Sequence, residues 1–264
     1  MTTLQIMTRW LRTNRGGLLG WAVGLAAASA VYLSFYRTVA SDREVLDNYM
    51  QILPPEMIST FGFQDLASPS GYAQSTVYGL VGLILILIAA MTRGVRAIAG
   101  DEQNGSLETE VTAAVSRRQV YVGRALGVTI FVLVLGLGVA LVHIAVNAPS
   151  GLGLPLANIA GGVAALTMLG LAHALIALAI GAATGRPGVA LAVTVIVAVA
   201  GFFANNLGPS IVEGIERLSP YHWAYGADPL GQGADWAGLA LLAGLSLVAF
   251  VAGLVTFPRR DLGV

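Results

Sequence analysis

The stretch RALGVTIFVLVLGLGVALVHIAVNAPSGLGLPLANIAGGVAALTMLGLAHALIALAIGAATGR, residues 124–186, holds no Asp, Glu, Lys or Arg between its two terminal arginines. Ordinary soluble domains carry about 25% charged residues and do not leave so long a run uncharged. In a membrane the run has a simple reading. A charge at the bilayer centre costs roughly 2.5–3.5 kcal/mol on insertion scales, and about 20 apolar residues suffice to cross. The interval is long enough for two spans in series. Asn147-Ala148-Pro149-Ser150-Gly151, with Pro155 soon after, supplies the break between them, because clustered Pro and Gly end helices.

Working outward, four more charge-free intervals follow the same rule: Arg15 to Arg37, Asp65 to Arg93, Arg186 to Glu213, and Asp235 to Arg259. Each accommodates one span. The fold class expected is therefore all-α: a polytopic membrane protein of six transmembrane helices, one transmembrane domain over residues 1–264. The spans are expected near 17–36, 73–92, 120–143, 158–184, 188–204 and 236–257. Between them lie an external loop 37–72, a cytoplasmic loop 93–119 and an external interfacial segment 205–235. The composition agrees, with 56% hydrophobic and 11% charged residues. The apolar run from Leu18 to Phe35 shows no convincing cleavage site and reads as a retained span rather than a signal peptide.

The 14 basic and 14 acidic residues cancel, so no global field favours nucleic acid as a partner. Their distribution carries the information. With the N-terminus inside, the inner side collects Arg9, Arg12, Arg15, Arg93, Arg96, Arg117, Arg118, Arg124, Arg186, Arg259 and Arg260; the outer side keeps Arg37, Arg43 and Arg217. The positive-inside rule then expects both termini in the cytoplasm and the chain in the cytoplasmic (plasma) membrane. Every basic residue is Arg. A phosphate-binding loop of the G-x-x-x-x-G-K-[ST] type needs Lys, so the chain is not expected to be an ATPase or to hold a cofactor itself. Cysteine is absent, which removes disulfides and thiolate chemistry.

Outside the spans, Ser41 and Glu44 fit a capping box ahead of Val45, Tyr49, Ile52 and Leu53 at helical spacing, predicting a short surface helix stopped by Pro54-Pro55. Pro209 to Leu218 gathers Ile211, Val212, Ile215 and Leu218 on one face and predicts a second interfacial helix. The inner loop RGVRAIAGDEQNGSLETEVTAAVSRRQVYVGR, residues 93–124, is the most informative. Leu107, Val111 and Ala114 share a helical face, and Glu108 and Glu110 sit where a helix N-terminus favours acids. Ser116 and Gln119 then form a capping box for the third span.

The ordered set Asp101-Glu102, Gly105-Ser106-Leu107-Glu108, and Val115-Ser116-Arg117-Arg118 resembles the segment after the second span of ABC-2 type transporter permeases. One departure is Ala114, where many relatives have Pro. Phe61-Gly62, Asp65 and Ser68-Pro69-Ser70-Gly71-Tyr72 resemble that family's entry into the second span. Leu218-Ser219-Pro220-Tyr221-His222-Trp223, Asp235-Trp236 and Arg259-Arg260-Asp261 resemble its ending. The resemblance implies an ABC-2 (type V exporter-like) transmembrane domain. It further implies a coupling helix contacting an ATPase subunit through Asp101, Glu102, Gly105, Ser106, Leu107, Glu108, Val111, Ser116, Arg117 and Arg118. Two ABC ATPase subunits, which bind the ATP and Mg, and a second permease half, identical or related, are the implied partners, with membrane lipid around them. The implied function is outward movement of a hydrophobic or amphipathic small molecule, such as a drug, natural product or lipid.

Polar groups at membrane depth are candidates for a substrate path by default. Here they are His143 and Asn147 near the outer end of the third span, and His173 in the middle of the fourth. The competing reading is a hydrogen bond to a neighbouring carbonyl. Gly161-Gly162 and Gly181-Ala182-Ala183 permit close helix approach, inside one bundle or between subunits. Other readings of the sequence are an ABC-2 permease serving cell-envelope assembly or metal-enzyme maturation, an ion-coupled transporter, a channel, or an intramembrane enzyme using His143, His173 or His222 with an acid such as Asp228. The spans contain no carboxylate of the kind ion coupling uses, and the histidines lack metal-site spacing.

Overall fold

Lipid offers backbone N–H and C=O groups no partner, so a spanning segment must satisfy them internally, as a helix does. In the computed structural model six helices among the described residues are long and apolar enough to cross a membrane: Arg15–Ser41, Pro69–Gln103, Arg117–Asn147, Leu156–Thr184, Pro187–Asn206 and Trp236–Arg259. The structure describes residues 2–41, 63–107 and 116–260, with the single positions 52, 54 and 58. No strand occurs among the described residues. The expected surface helix after Ser41 and the stretch from Glu108 to Val115 lie outside them.

A helix not expected from the sequence, α1 (Thr3–Thr13), precedes the first span. Thr2 caps α1 in a capping box with Gln5. Ile6 and Trp10 are its buried residues, while Leu4, Arg9 and Arg12 face outward. A turn at Asn14 leads into α2 (Arg15–Ser34), the core of the first span.

The second span is helical far beyond the expected 73–92. Ser68 caps its start by accepting from the Gly71 N–H at 3.0 Å. It then runs through a π-turn at Gln74–Tyr78, the regular helix α3 (Val81–Val95), and a second π-turn at Arg96–Gly100. Asp101 and Glu102 consequently ride on the end of this span instead of lying in a separate loop. The polar end stays helical because charged side chains beyond the hydrocarbon carry no insertion cost.

Helix α4 (Arg117–Asn147) begins at the anticipated capping box: Ser116 Oγ accepts from the Gln119 N–H, and Gln119 Oε1 accepts from the Ser116 N–H. It ends where the Asn-Ala-Pro-Ser-Gly break was read. Asn147 closes the turn, its Oδ1 accepting from the Leu154 N–H and its Nδ2 donating to the Leu154 carbonyl. Helix α5 (Leu156–Thr184) follows, then α6 (Pro187–Asn206). Only Gly185 and Arg186 join α5 to α6. The turn demands φ +66° at Gly185, the left-handed conformation that Gly adopts without strain.

The segment after α6 is not the single interfacial helix expected over Pro209 to Leu218. It is two 3₁₀ turns, Gly208–Ser210 and Ile215–Leu218, separated at Gly214, whose φ is +85°. A Gly in that conformation interrupts helix propagation, although Ile211, Val212 and Leu218 are exposed as an interfacial segment requires. Two short helices, α7 (Pro220–Tyr225) and α8 (Pro229–Gln232), then tuck back against the bundle. The last span centres on α9 (Trp236–Thr256), capped by Asp235.

Helix α5 is the hub. It packs on α3, α4, α6, α8 and α9. Approach is closest where side chains are smallest: a Cβ added to Gly94 of α3 would lie 2.2 Å from the Ala174 carbonyl oxygen of α5. Small residues let backbones meet, which is how helices gain contact when lipid removes the hydrophobic drive to associate.

Candidate coupling end and membrane groove

At the Arg-rich end, charges that are far apart in sequence converge. Arg124, one turn into the apolar part of α4, donates from Nη1 to Asp101 Oδ2 at 2.6 Å. Arg260, just past α9, makes a two-pronged pair with Glu102, Nη1 donating to Oε1 at 3.0 Å and Nη2 to Oε2. The Arg260 Nε also donates to the Ala182 carbonyl at 3.1 Å, and its own carbonyl accepts from Arg117. The guanidinium lies where Gly185 has no side chain, since a Cβ there would fall 2.1 Å from Nη1. The Glu102 side chain is only 8% exposed. Charge-assisted, bidentate geometry is what makes so dry a pair favourable.

The segment after the second span is thereby tied to α4 through Asp101, to the end of α5 through Ala182, and to the end of α9 through Arg260. Beyond it Gly105 turns the chain with φ +76°, and Ser106 Oγ donates to the Asp101 carbonyl at 3.2 Å. Leu107 is fully buried within the chain rather than presented outward. Gly105, Ser106 and Arg118 are exposed and Arg117 is half-buried. Glu108 and Val111 lie outside the described residues.

At membrane depth, the Tyr78 hydroxyl and His143 Nδ1 are 2.7 Å apart, joining the π-turn of the second span to α4. His173 Nδ1 lies 2.8 Å from the Leu169 carbonyl one turn earlier, and its ring rests against Tyr221 at 5.9 Å. Both histidines are fully buried, and Asn147 is occupied by its turn. None of the three is in the lining of the apolar cavities described next.

Two apolar cavities lie at this depth, one of about 400 Å³ between α4 and α5 and a groove of about 270 Å³ between α3 and α6 that has Tyr221 in its lining. Leu83, Leu87 and Met91 form one wall, and Ala198, Val199 and Phe202 the other. Tyr221 is held by its helix start: Ser219 accepts from the Tyr221 N–H and donates to the Gly201 carbonyl of α6. Phe202 meets the Tyr221 ring edge-on at 5.7 Å. His173 therefore stands behind Tyr221, one layer from the groove. Next to it on α7, burial pushes the Tyr225 hydroxyl pKa well above the usual tyrosine value, the neighbouring Tyr78 and Tyr221 adding to the effect. Sequence reading singled out the histidines because they are ionisable and passed over the aromatic pair. The available signal was Tyr221 within Ser219-Pro220-Tyr221, a capped helix start following the adjacent Phe202-Phe203.

Six apolar helices, uncharged across their centres and ion-paired at one end, define a multi-pass helical membrane protein. The family model for the multidrug efflux system permease Rv1217c, C-terminal domain, matches residues 8–258. The chain belongs to this family of efflux permeases, in agreement with the ABC-2 type resemblance. A comparison with curated proteins gives no match. Among the described residues no group of three His, Cys, Asp or Glu side chains could hold a metal ion.

Proposed function

We propose that the chain is one membrane half of an ATP-driven exporter. Two such halves, identical or related, combine with two separate ATPase subunits that bind ATP and Mg. The complex moves a hydrophobic or amphipathic small molecule outward across the cytoplasmic membrane. The observation that carries this reading is the groove between α3 and α6, whose lining is almost wholly apolar and whose one polar group is the phenol of Tyr221. A pocket of that chemistry favours molecules that partition from lipid and orients them with few polar contacts.

The coupling segment is Asp101 to Arg118. Force applied there by an ATPase passes through Asp101–Arg124 and Glu102–Arg260 to the third and sixth spans, and through the Ala182 carbonyl to the fourth. Gly105, Ser106 and Arg118 are exposed for contact, whereas Leu107 braces the segment from inside. The orientation places both termini and Ser106 in the cytoplasm, with Ser41 and Ser210 outside. Single cysteines introduced at these exposed serines of a cysteine-free chain report it directly by impermeant labelling of intact cells.

The decisive experiment reconstitutes the chain with its ATPase in vesicles and follows a fluorescent hydrophobic dye. Transport and hydrolysis require both components; the pure chain hydrolyses nothing. Glu102→Gln keeps the ATPase bound but lowers dye movement per ATP by about tenfold, the effect of about 1.4 kcal/mol on a coupled step. Dye movement that is indifferent to the ATPase would sink the exporter reading. Undiminished coupling in Glu102→Gln would sink the role of the ion pairs alone.

A further inference from the structure

A second cavity, of about 570 Å³, opens at the Arg-rich end of the bundle, away from the apolar groove. Trp10 and Asn14 of the α1–α2 corner form one side, Arg93 and Arg96 at the end of the second span form the floor, and Pro187 and Leu191 at the start of α6 form the other side. The two arginines are three residues apart on a helix, a spacing that brings like charges together at a cost. Arg93 is fixed in place. Its Nη1 donates to Asn14 Oδ1 at 2.7 Å and its guanidinium sits 5.4 Å from the Phe131 ring centre. Arg96 is exposed and makes no hydrogen bond or ion pair among the described residues. Asp101, the acid on the rim, is held by Arg124 at 2.6 Å and so is already engaged.

Two positive groups thus face one recess with no acid among the described residues committed to them, and the recess also has apolar walls in Trp10, Val95 and Leu191. Its depth in the membrane is fixed by sequence: the apolar run of α3 ends at Met91, two residues before Arg93. Helix α1, with Ile6 and Trp10 buried and Arg9 and Arg12 outward, has the character of a helix lying in the interfacial plane. This is the level of lipid phosphates. Gly188, in the first turn of α6, lines the same recess, and no side chain caps that turn. Its N–H groups add a weaker positive contribution.

We propose that this cavity binds the phosphate headgroup of an anionic membrane lipid. Arg93 and Arg96 hold the phosphate, while Trp10 and Leu191 flank the glycerol and upper acyl chain. A soluble phosphate ester carries the same anion but has no use for the apolar walls. A lipid in this position touches α1, the second span and α6 together, so it ties the interfacial helix to one wall of the bundle.

The test uses the purified chain and native mass spectrometry with phosphatidylglycerol or phosphatidylcholine added. Phosphatidylglycerol is retained in preference to phosphatidylcholine. Arg96→Gln lowers that retention by about fivefold, the effect of removing one interfacial arginine. Arg96→Glu abolishes the preference and Arg96→Lys restores most of it. Arg12→Gln, an exposed arginine on α1 outside the cavity, changes retention less than twofold (~). Because Arg96 is exposed and makes no hydrogen bond or ion pair among the described residues, the variants are expected to elute and melt as the parent does. A phosphatidylglycerol preference that survives Arg96→Glu, or that falls equally in Arg12→Gln, overturns the site in favour of general charge attraction. Displacement of the lipid by an equal concentration of glycerol 3-phosphate overturns the lipid assignment in favour of a soluble ligand.

Discussion

Helices α5 and α6 are consecutive, are joined by two residues, and have the same mean hydropathy of 2.3, yet 72% of the apolar stretch of α5 is buried inside the protein against 17% of that of α6. In water, such equal hydropathy would demand similar burial. In lipid it does not, because an apolar side chain is nearly as well accommodated by acyl chains as by protein. Shape separates the two instead. The α5 sequence places Gly161, Gly162, Gly170 and Gly181 along surfaces that meet the second span, α4, α6, α8 and the linker after α8, and its neighbours come close to its backbone. The α6 sequence carries Val193, Val195, Ile196, Val197 and Val199, which stand exposed, and buries only Ala190, Thr194 and Ala198 along one edge. One helix is a hub and the other is a wall, of which the inner edge lines the groove.

The largest effect expected from breaking this contrast is at the hub. Gly94→Leu puts a branched side chain where a Cβ alone lies 2.2 Å from the Ala174 backbone oxygen, and backbone cannot step aside as a side chain could. A loss of about 3 kcal/mol or more is expected, at the upper end of overpacking costs, with little monodisperse protein recovered from detergent. Gly244→Leu on α9 is the matched control, since nothing lies within 4 Å of that position. It should melt within a few degrees of the parent. Equal damage from both would mean that helix approach is not what organises the bundle.

A middle-sized effect is expected where the core holds polar groups. Tyr78→Phe leaves His143 Nδ1 buried without its 2.7 Å partner, at a cost of about 1–3 kcal/mol. Combining it with His143→Leu should recover most of the loss, because both polar groups are then gone. Thermal unfolding of the two variants decides this. A double variant worse than the single would show that the pair has a further polar partner.

The smallest effect belongs to the wall. Ile196 is 65% exposed, and Ile196→Ala should change the melting of the isolated chain by less than about 0.5 kcal/mol. The same substitution measured in the assembled transporter sharpens the comparison. A drop confined to the complex would place the second permease half on this face of α6.

Much of the architecture was legible from charge spacing alone. Asn147 to Gly151 turned the chain where it was expected to, Ser116 and Gln119 formed the expected cap, and Ser68 capped the second span within the motif Ser68–Tyr72. The candidate site was less legible. Asp101, Glu102, Arg117 and Arg124 do cluster, but their link to Arg260 joins positions 158 residues apart and leaves no local pattern. His143 and His173 stood out for their chemistry, whereas their placement behind Tyr78 and Tyr221 follows from helix rotation. That rotation could not be read from spans as uniformly apolar as α5.

The sequence by itself determined the number of spans and which end of the bundle carries the arginines. Those are one-dimensional consequences of the cost of placing charge in hydrocarbon. Only the tertiary structure decided that α5 lies at the centre, that Arg260 returns to the second span at Glu102, and that α3 and α6 part to leave a groove beside Tyr221. The physical reason is that lipid and protein interior reward apolar surface about equally. Hydropathy therefore sets depth in the membrane, and neighbours are set by close-packed shape and by the few polar groups that must find one another.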